Sequence, residues 1–194
     1  VYIVPEWMRG RDIPDGRVPL YLNPGLTFGT GSHPTTQLCL ELLEDAIVPG
    51  GRALDLGCGS GILAIAALAL GAEHVTGVDI DPKAVDVAYE NAAMNGVGRD
   101  RLTVLAGNVL GNRKLAEKLE PGRNQVVLAN IVADVIIPLS AAAGEFLTPD
   151  GVFLTSGIID ERADEVEAAI RANGFTITRR LERAGWCAFR AERA

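Results

Sequence analysis

At 194 residues the chain fits one domain with a sizeable core. Its content, 48% hydrophobic but only 5% aromatic, means that this core is built mainly of Ala, Val, Leu and Ile, as buried parallel strands require. A net charge of −7 argues against a nucleic-acid groove, which needs clustered Lys and Arg, and favours a basic protein partner; the plainer reading is that mild acidity only keeps the protein soluble. No run approaches the ~20 apolar residues of a membrane span and no signal peptide is visible, so the expected compartment is the cytoplasm. Cys39, Cys58 and Cys187 are widely spaced and read as reduced thiols. Neither His33 nor His74 shares metal-ligand spacing with them, so no metal site is expected.

Residues 1–24 carry Pro5, Pro14, Pro19 and Pro24 and one short apolar run at 1–4, an edge-strand candidate. They read as a lead-in or linker segment ahead of a single domain at 25–194. Trp7 reads as a packing aromatic that pins the lead-in to the domain, with a substrate surface as the alternative. The start at Val1 rather than Met points to a fragment or a processed chain.

Residues 23–36 then form a loop rich in glycine and hydroxyl groups that runs into a helix, with Pro34 at its first position. Cys39, Leu42, Leu43, Ala46 and Ile47 recur at helical spacing as one apolar face, ended by Pro49-Gly50-Gly51. The loop reads either as an elaborate helix cap or as a lid over a ligand, with Thr36 in the first turn well placed to bind it.

The stretch 53–61, Ala-Leu-Asp-Leu-Gly-Cys-Gly-Ser-Gly, is a strand, a tight turn and a helix start. Gly57, Gly59 and Gly61 at alternate positions let a ligand lie against the backbone. The next strand, 75–79, ends in Asp79, at the distance from the glycine loop where such folds bind a ribose. A dinucleotide fingerprint would need its third glycine one position later, where Ile62 stands. A glycine-rich turn with no ligand is the bland alternative.

Helix 61–70 is almost wholly apolar and is expected to pack deeply. Asp81-Pro82 opens another helix, which ends near Asn95-Gly96. Residues 102–106 make the third strand, followed by Asn108. The polar segment 111–124 holds a short helical run at 114–119, and 125–130 is a fourth strand ending in Asn130. A helix over 132–146, a fifth strand over 152–157 and an amphipathic helix over 160–173 follow. The end reads as a hairpin of strands 175–182 and 186–191 about Ala184-Gly185. Trp186 reads as a core or rim residue.

With Asp55 before it, the Gly57-x-Gly59-x-Gly61 loop resembles the first motif of the seven-stranded methyltransferases that use S-adenosylmethionine. An anion-friendly helix start suits the carboxylate of that cofactor, and Asp55 suits its cationic end. Four motifs in order resemble the bacterial methyltransferase family that modifies ribosomal protein L-eleven, over about residues 20 to 190. They are Phe28-Gly29-Thr30-Gly31-Ser32-His33-Pro34-Thr35-Thr36, Asp55-Leu56-Gly57-Cys58-Gly59-Ser60-Gly61-Ile62-Leu63, Val78-Asp79-Ile80-Asp81-Pro82 and Ala129-Asn130-Ile131.

The resemblance implies an α/β fold: a doubly wound, mostly parallel seven-stranded sheet of the Rossmann-like class I methyltransferase type with an antiparallel C-terminal hairpin. It implies S-adenosylmethionine bound at Thr36, Gly57, Asp79 and Asn130, with Asp55, Gly59 and Asn108 added from their places in the motifs, and S-adenosylhomocysteine as product. The implied acceptors are amines of a basic ribosomal protein, on lysine side chains or the N-terminus, with no direct nucleic-acid partner and no membrane. Asn108 stands where methyltransferases often place an acid beside adenine; its amide oxygen can accept the same hydrogen bond. Asn130 is ranked first as a cofactor contact and second as a group that orients the amine, and a plain helix cap is the alternative. No residue stands out as a general base; Asp160 and Glu161 lie after the fifth strand without an assigned role. The family's N-terminal substrate-gripping domain has no counterpart in this sequence, so the chain is expected to bind cofactor but methylate poorly without it. The competing readings are a lysine methyltransferase of another protein, a small-molecule methyltransferase, a non-enzymatic cofactor-binding domain and a nicotinamide dehydrogenase, the last disfavoured by Ile62.

Overall fold

A computed structural model describes residues 1–23 and 31–194. The stretch of the expected lid at 24–30, with Phe28-Gly29-Thr30, lies outside the described residues. The first strand, β1 (Tyr2–Pro5), pairs in parallel with β2 (Pro19–Leu22) as a small sheet of its own, joined by residues 6–18, long enough for a parallel crossover. Val4, Leu20 and Leu22 are buried, but Trp7 is 70% exposed. The aromatic expected to pin the lead-in instead lies on a short 3-10 turn, Glu6–Met8, and it is strand side chains that do the pinning.

The main sheet alternates strands and helices in chain order: α1 (Pro34–Glu44), β3 (Arg52–Leu56), α2 (Ile62–Ala69), β4 (His74–Asp79), α3 (Pro82–Met94), β5 (Leu102–Ala106), α4 (Arg113–Lys118), β6 (Asn124–Asn130), α5 (Ala133–Phe146), β7 (Leu147–Ile159), α6 (Ala163–Ala172), β8 (Phe175–Arg183) and β9 (Trp186–Arg193). The strand order is β5-β4-β3-β6-β7-β9-β8. Strands β3 to β7 are parallel, and β9 pairs antiparallel with both β7 and β8. The doubly wound sheet of seven strands with a C-terminal hairpin is therefore as the sequence predicts. Asp160–Arg162 departs from the prediction: it is a separate 3-10 turn, and the amphipathic helix begins only at Ala163.

The two faces of the sheet bury different halves of the core. Leu42, Ile65, Ala88, Leu128 and Leu154 join one cluster with α1, α2 and α3; Leu54, Val127, Ile136, Phe153 and Ile170 join another with α5 and α6. Every residue from Ile62 to Leu68 is buried, as the apolar run requires. Because strand side chains alternate, Ala53, Leu128 and Leu154 on the α1 face put Asp55, Asn130 and Ser156, two residues further on, on that same face at the strand ends. The switch in strand order falls between β3 and β6, where helices leave to opposite faces and a crevice opens beyond the carboxyl ends. Among the described residues no helix is long and apolar enough to cross a membrane, and no group of His, Cys, Asp and Glu could hold a metal. All three cysteines are free and buried.

Candidate functional site

A cavity of about 410 Å³ occupies that crevice. Thr36, Gly57, Gly59, Asp79, Asn108 and Asn130 all line it, so six of the seven sequence-predicted cofactor residues converge although they are spread from the first helix to the fourth parallel strand. The seventh, Asp55, lies beneath it, 1% exposed.

The glycine loop is shaped by its neighbours. Gly57 has φ +77, and a Cβ there would stand 2.5 Å from Ile131 Cγ2, so the backbone turns where a side chain has neither the conformation nor the space. Asp79 locks the loop to the next strand: one carboxylate oxygen accepts from the Gly59 N–H at 2.8 Å, the other from the Asp81 N–H at 2.9 Å. A carboxylate has about four lone-pair sites. Each oxygen therefore keeps capacity for one more donor, which a vicinal diol supplies.

Asp55 accepts one hydrogen bond, from the Ala64 N–H in the first turn of α2 at 3.2 Å, and its other oxygen has no partner. Burial, with the Asp79 charge adding to it against the Ala64 hydrogen bond, pushes its carboxyl up to about 7. A buried acceptor left open beneath a cavity fits a cationic ligand group, reached directly or through water.

The start of α1 closes one side. Its cap is a histidine: His33 Nδ1 accepts from the Thr35 N–H at 3.3 Å, and the ring meets Trp186 edge-on at 5.0 Å. Trp186 is half-buried and packs against the core cluster on the α1 face, a packing residue as the sequence reading allows. Thr36 is buried, with its hydroxyl 3.5 Å from Asn130 Nδ2. At the far end Asn108 is exposed, and its amide oxygen accepts from the Leu110 N–H at 2.9 Å, which fixes the side chain in a local turn.

The sequence reading missed the apolar wall. Ile80, Val109, Val132 and Val135 line the cavity, and Ile80 and Val132 are 76% and 60% exposed. Large aliphatic residues one and two positions after the strand-ending polar residues Asp79 and Asn130 were the available signal, since a planar base needs an apolar surface beside its polar contacts. Neither Asp160 nor Glu161 lines the cavity.

The strand order, the glycine turn at the switch point and the acid ending the second strand define an α/β domain of the methyltransferase fold. Sequence comparison narrows this to a family. The model of the family described as "Ribosomal protein L11 methyltransferase (PrmA)" matches residues 1–194, and the chain belongs to that family. It is 43% identical over 186 residues to the ribosomal protein L11 methyltransferase of Chromohalobacter salexigens, covering 96% of this chain and 58% of the relative. With the relative of the same name from Pelotomaculum thermopropionicum the identity is 44%, covering 97% and 58%. The chain thus spans about three-fifths of the length of these curated relatives. The crystal structure of a ribosomal protein L11 methylase from Lactobacillus delbrueckii subsp. bulgaricus superposes with a TM-score of 0.87 at 33% identity, covering 98% of this chain and 93% of that one.

Proposed function

We propose that this chain is the S-adenosylmethionine-binding, methyl-transferring domain of an enzyme that acts on amines of ribosomal protein L11 in the cytoplasm, with residues 1–24 as its lead-in. The observation that carries this reading is the convergence of Thr36, Gly57, Gly59, Asp79, Asn108 and Asn130 on one cavity above the partnerless oxygen of Asp55, in a chain of that family.

The residues fit the cofactor part by part. Asp79 offers one acceptor on each oxygen to the ribose hydroxyls, Asn108 an amide to the adenine amino group, and Ile80 an apolar flank to the ring. Gly57 allows the backbone to approach, Thr36 offers a hydroxyl to the methionine carboxylate, and Asp55 balances the ammonium. When bound, S-adenosylmethionine would supply an electrophilic methyl group on a sulfonium: a neutral amine would form its N–C bond to that methyl carbon as the C–S bond breaks, with the thioether S-adenosylhomocysteine as leaving group. The chain's own task is alignment and exclusion of water. Asn130 orients the acceptor nitrogen with its amide oxygen while its nitrogen faces Thr36. A lysine amine has an ordinary pKa of about 10.4, so it must lose a proton before it attacks. Val132 and Val135 favour the neutral form by desolvation, and the proton passes to water.

The test is transfer of labelled methyl from S-adenosylmethionine to purified ribosomal protein L11, with the chain stoichiometric to its substrate. Label is expected in the ribosomal protein and is expected to vanish when its amines are blocked beforehand. Label that persists after blocking, or none at all, would overturn the assignment of the acceptor.

A further inference from the structure

We propose that Ser156, which no sequence motif singles out, is a positioning residue for methyl transfer: it holds the first turn of α1 and the Asn130 strand end in one register. The inference rests on the cofactor reading above. β6 and β7 run parallel with Asn130 opposite Ser156, both on the face that α1 covers. The Ser156 hydroxyl, fully buried, donates to the Thr35 carbonyl at 2.9 Å across 121 residues of sequence. The adjacent residue, Thr36, faces Asn130 Nδ2 at 3.5 Å. Two consecutive helix residues are therefore gripped by two facing strand ends.

Ser156 acts on the other side as well. Its carbonyl accepts from the Ile131 N–H at 3.0 Å, so the residue after Asn130 is tied to the same post. Gly157 follows at φ +86, and a Cβ there would stand 2.5 Å from the Ile131 carbonyl oxygen. The chain can pass Ile131 this closely only as glycine, and Ile131 in turn fills the space that a Cβ on Gly57 would need. The clasp thus ties the glycine loop, Asn130 and Thr36 together without being part of the cavity wall.

The Thr35 carbonyl already lies in the first turn of α1, where the helix supplies it an N–H donor. The Ser156 bond is not needed to satisfy it. What the bond adds is the lateral position of the helix start against the sheet, on which the spacing between the Thr36 hydroxyl and the Asn130 amide depends.

The experiment compares Ser156→Ala with Ser140→Ala, an equal deletion at a buried serine of α5 that donates to the Ile137 carbonyl at 2.7 Å and accepts from Asn173. Both should lower the melting temperature. Only Ser156→Ala is expected to weaken S-adenosylmethionine binding, by about tenfold, the scale of one lost hydrogen bond. It should also lower kcat at saturating methyl donor by about tenfold while the acceptor KM holds, since aligned geometry is spent in the transfer step. In the ligand-free chain, hydrogen exchange of the amides of α1's first two turns should speed up by about tenfold in Ser156→Ala alone. Unchanged exchange and affinity in Ser156→Ala, or equal losses in both variants, would overturn the proposal. Should Ser156→Ala not fold, Ser156→Cys, close in volume and a weak donor, replaces it with the same expectations. A wild type that binds no S-adenosylmethionine would refute the cofactor reading, and the exchange measurement would still decide the clasp.

Discussion

The two edges of the parallel sheet use polar side chains in opposite ways. At the amino edge they pair with one another. The Arg52 guanidinium bridges Glu120, the Arg52 N–H donates to Gln125 Oε1 at 2.6 Å, His74 Nε2 meets the Thr103 hydroxyl at 3.1 Å, and Asn124 Nδ2 serves the carbonyls of Leu119 and Phe146. At the carboxyl edge Asp55, Asp79, Asn108 and Asn130 stand around or beneath a cavity, tied mainly to backbone N–H groups of loops and helix starts, with acceptor capacity left over. One edge is a structural network in which the groups mostly satisfy one another, with the buried Arg52 Nε left over, and the other is an open set of acceptors. Polar residues at strand ends therefore mark function only where their hydrogen bonds leave room for a ligand.

The sharpest way to break this contrast is Asp79→Ala, which removes both loop anchors and the acceptors proposed for the ribose. S-adenosylmethionine affinity measured by calorimetry is expected to fall by roughly a hundredfold or more, since each lost charge-assisted hydrogen bond is worth about 1.5–3 kcal/mol. A loss below about fivefold would mean that the carboxyl edge does not hold the ligand through this residue.

Asp55 gives the next effect through pH. Its carboxyl is raised from the ordinary 3.8 to about 7, by burial first and then by Asp79 on β4, with the buried thiols of Cys39 and Cys58 nearby. The folded chain thus keeps a proton that the unfolded chain has lost between those values. Stability from this group is full below the lower value, falls as pH rises through the interval and levels off above about 7. In thermal melts Asp55→Asn should abolish a decline of order 2–4 kcal/mol between pH 4 and 8. Cofactor affinity of the wild type should rise over the same range, because the ammonium favours the ionised acid. A pH-independent affinity would show that the buried acid does not face the cationic end.

Arg52→Ala probes the opposite edge. The loss of its pair with Glu120 should cost about 1 kcal/mol of stability in denaturant titration and leave cofactor affinity within about twofold. Thr155→Val is the smallest change: the Thr155 hydroxyl is buried without a partner on the far face of the strand from Ser156, so the isosteric variant should be neutral or gain up to about 1 kcal/mol. A substantial loss of binding in Arg52→Ala would erase the division between the edges.

Most of the fold was legible in the sequence because its signals are local. Asp81 caps α3 by accepting from the Lys83 N–H with Pro82 at the first position, and β5 runs over residues 102–106, the stretch read as a strand from the sequence. The residues that gather at the cavity were legible because they end or directly follow strands or open a helix, and because they fall in motifs that resemble the family's. Ser156 was not, since its function depends on a helix turn 121 residues away that no local pattern announces. Trp7 misled for the related reason that an aromatic beside prolines says nothing of whether a surface lies beneath it. The long β7 starts earlier than its apolar run because Leu147 pairs with Asn124 across a register shift, a pairing set by the neighbouring strand.

The central claim is that the open acceptors at the carboxyl edge receive S-adenosylmethionine. Its most direct test is calorimetric titration of the chain with S-adenosylmethionine and, separately, with NAD. Saturable binding of the methyl donor at one site and none of NAD is the expected result. Binding of NAD in preference, or of neither, would contradict the account at its centre.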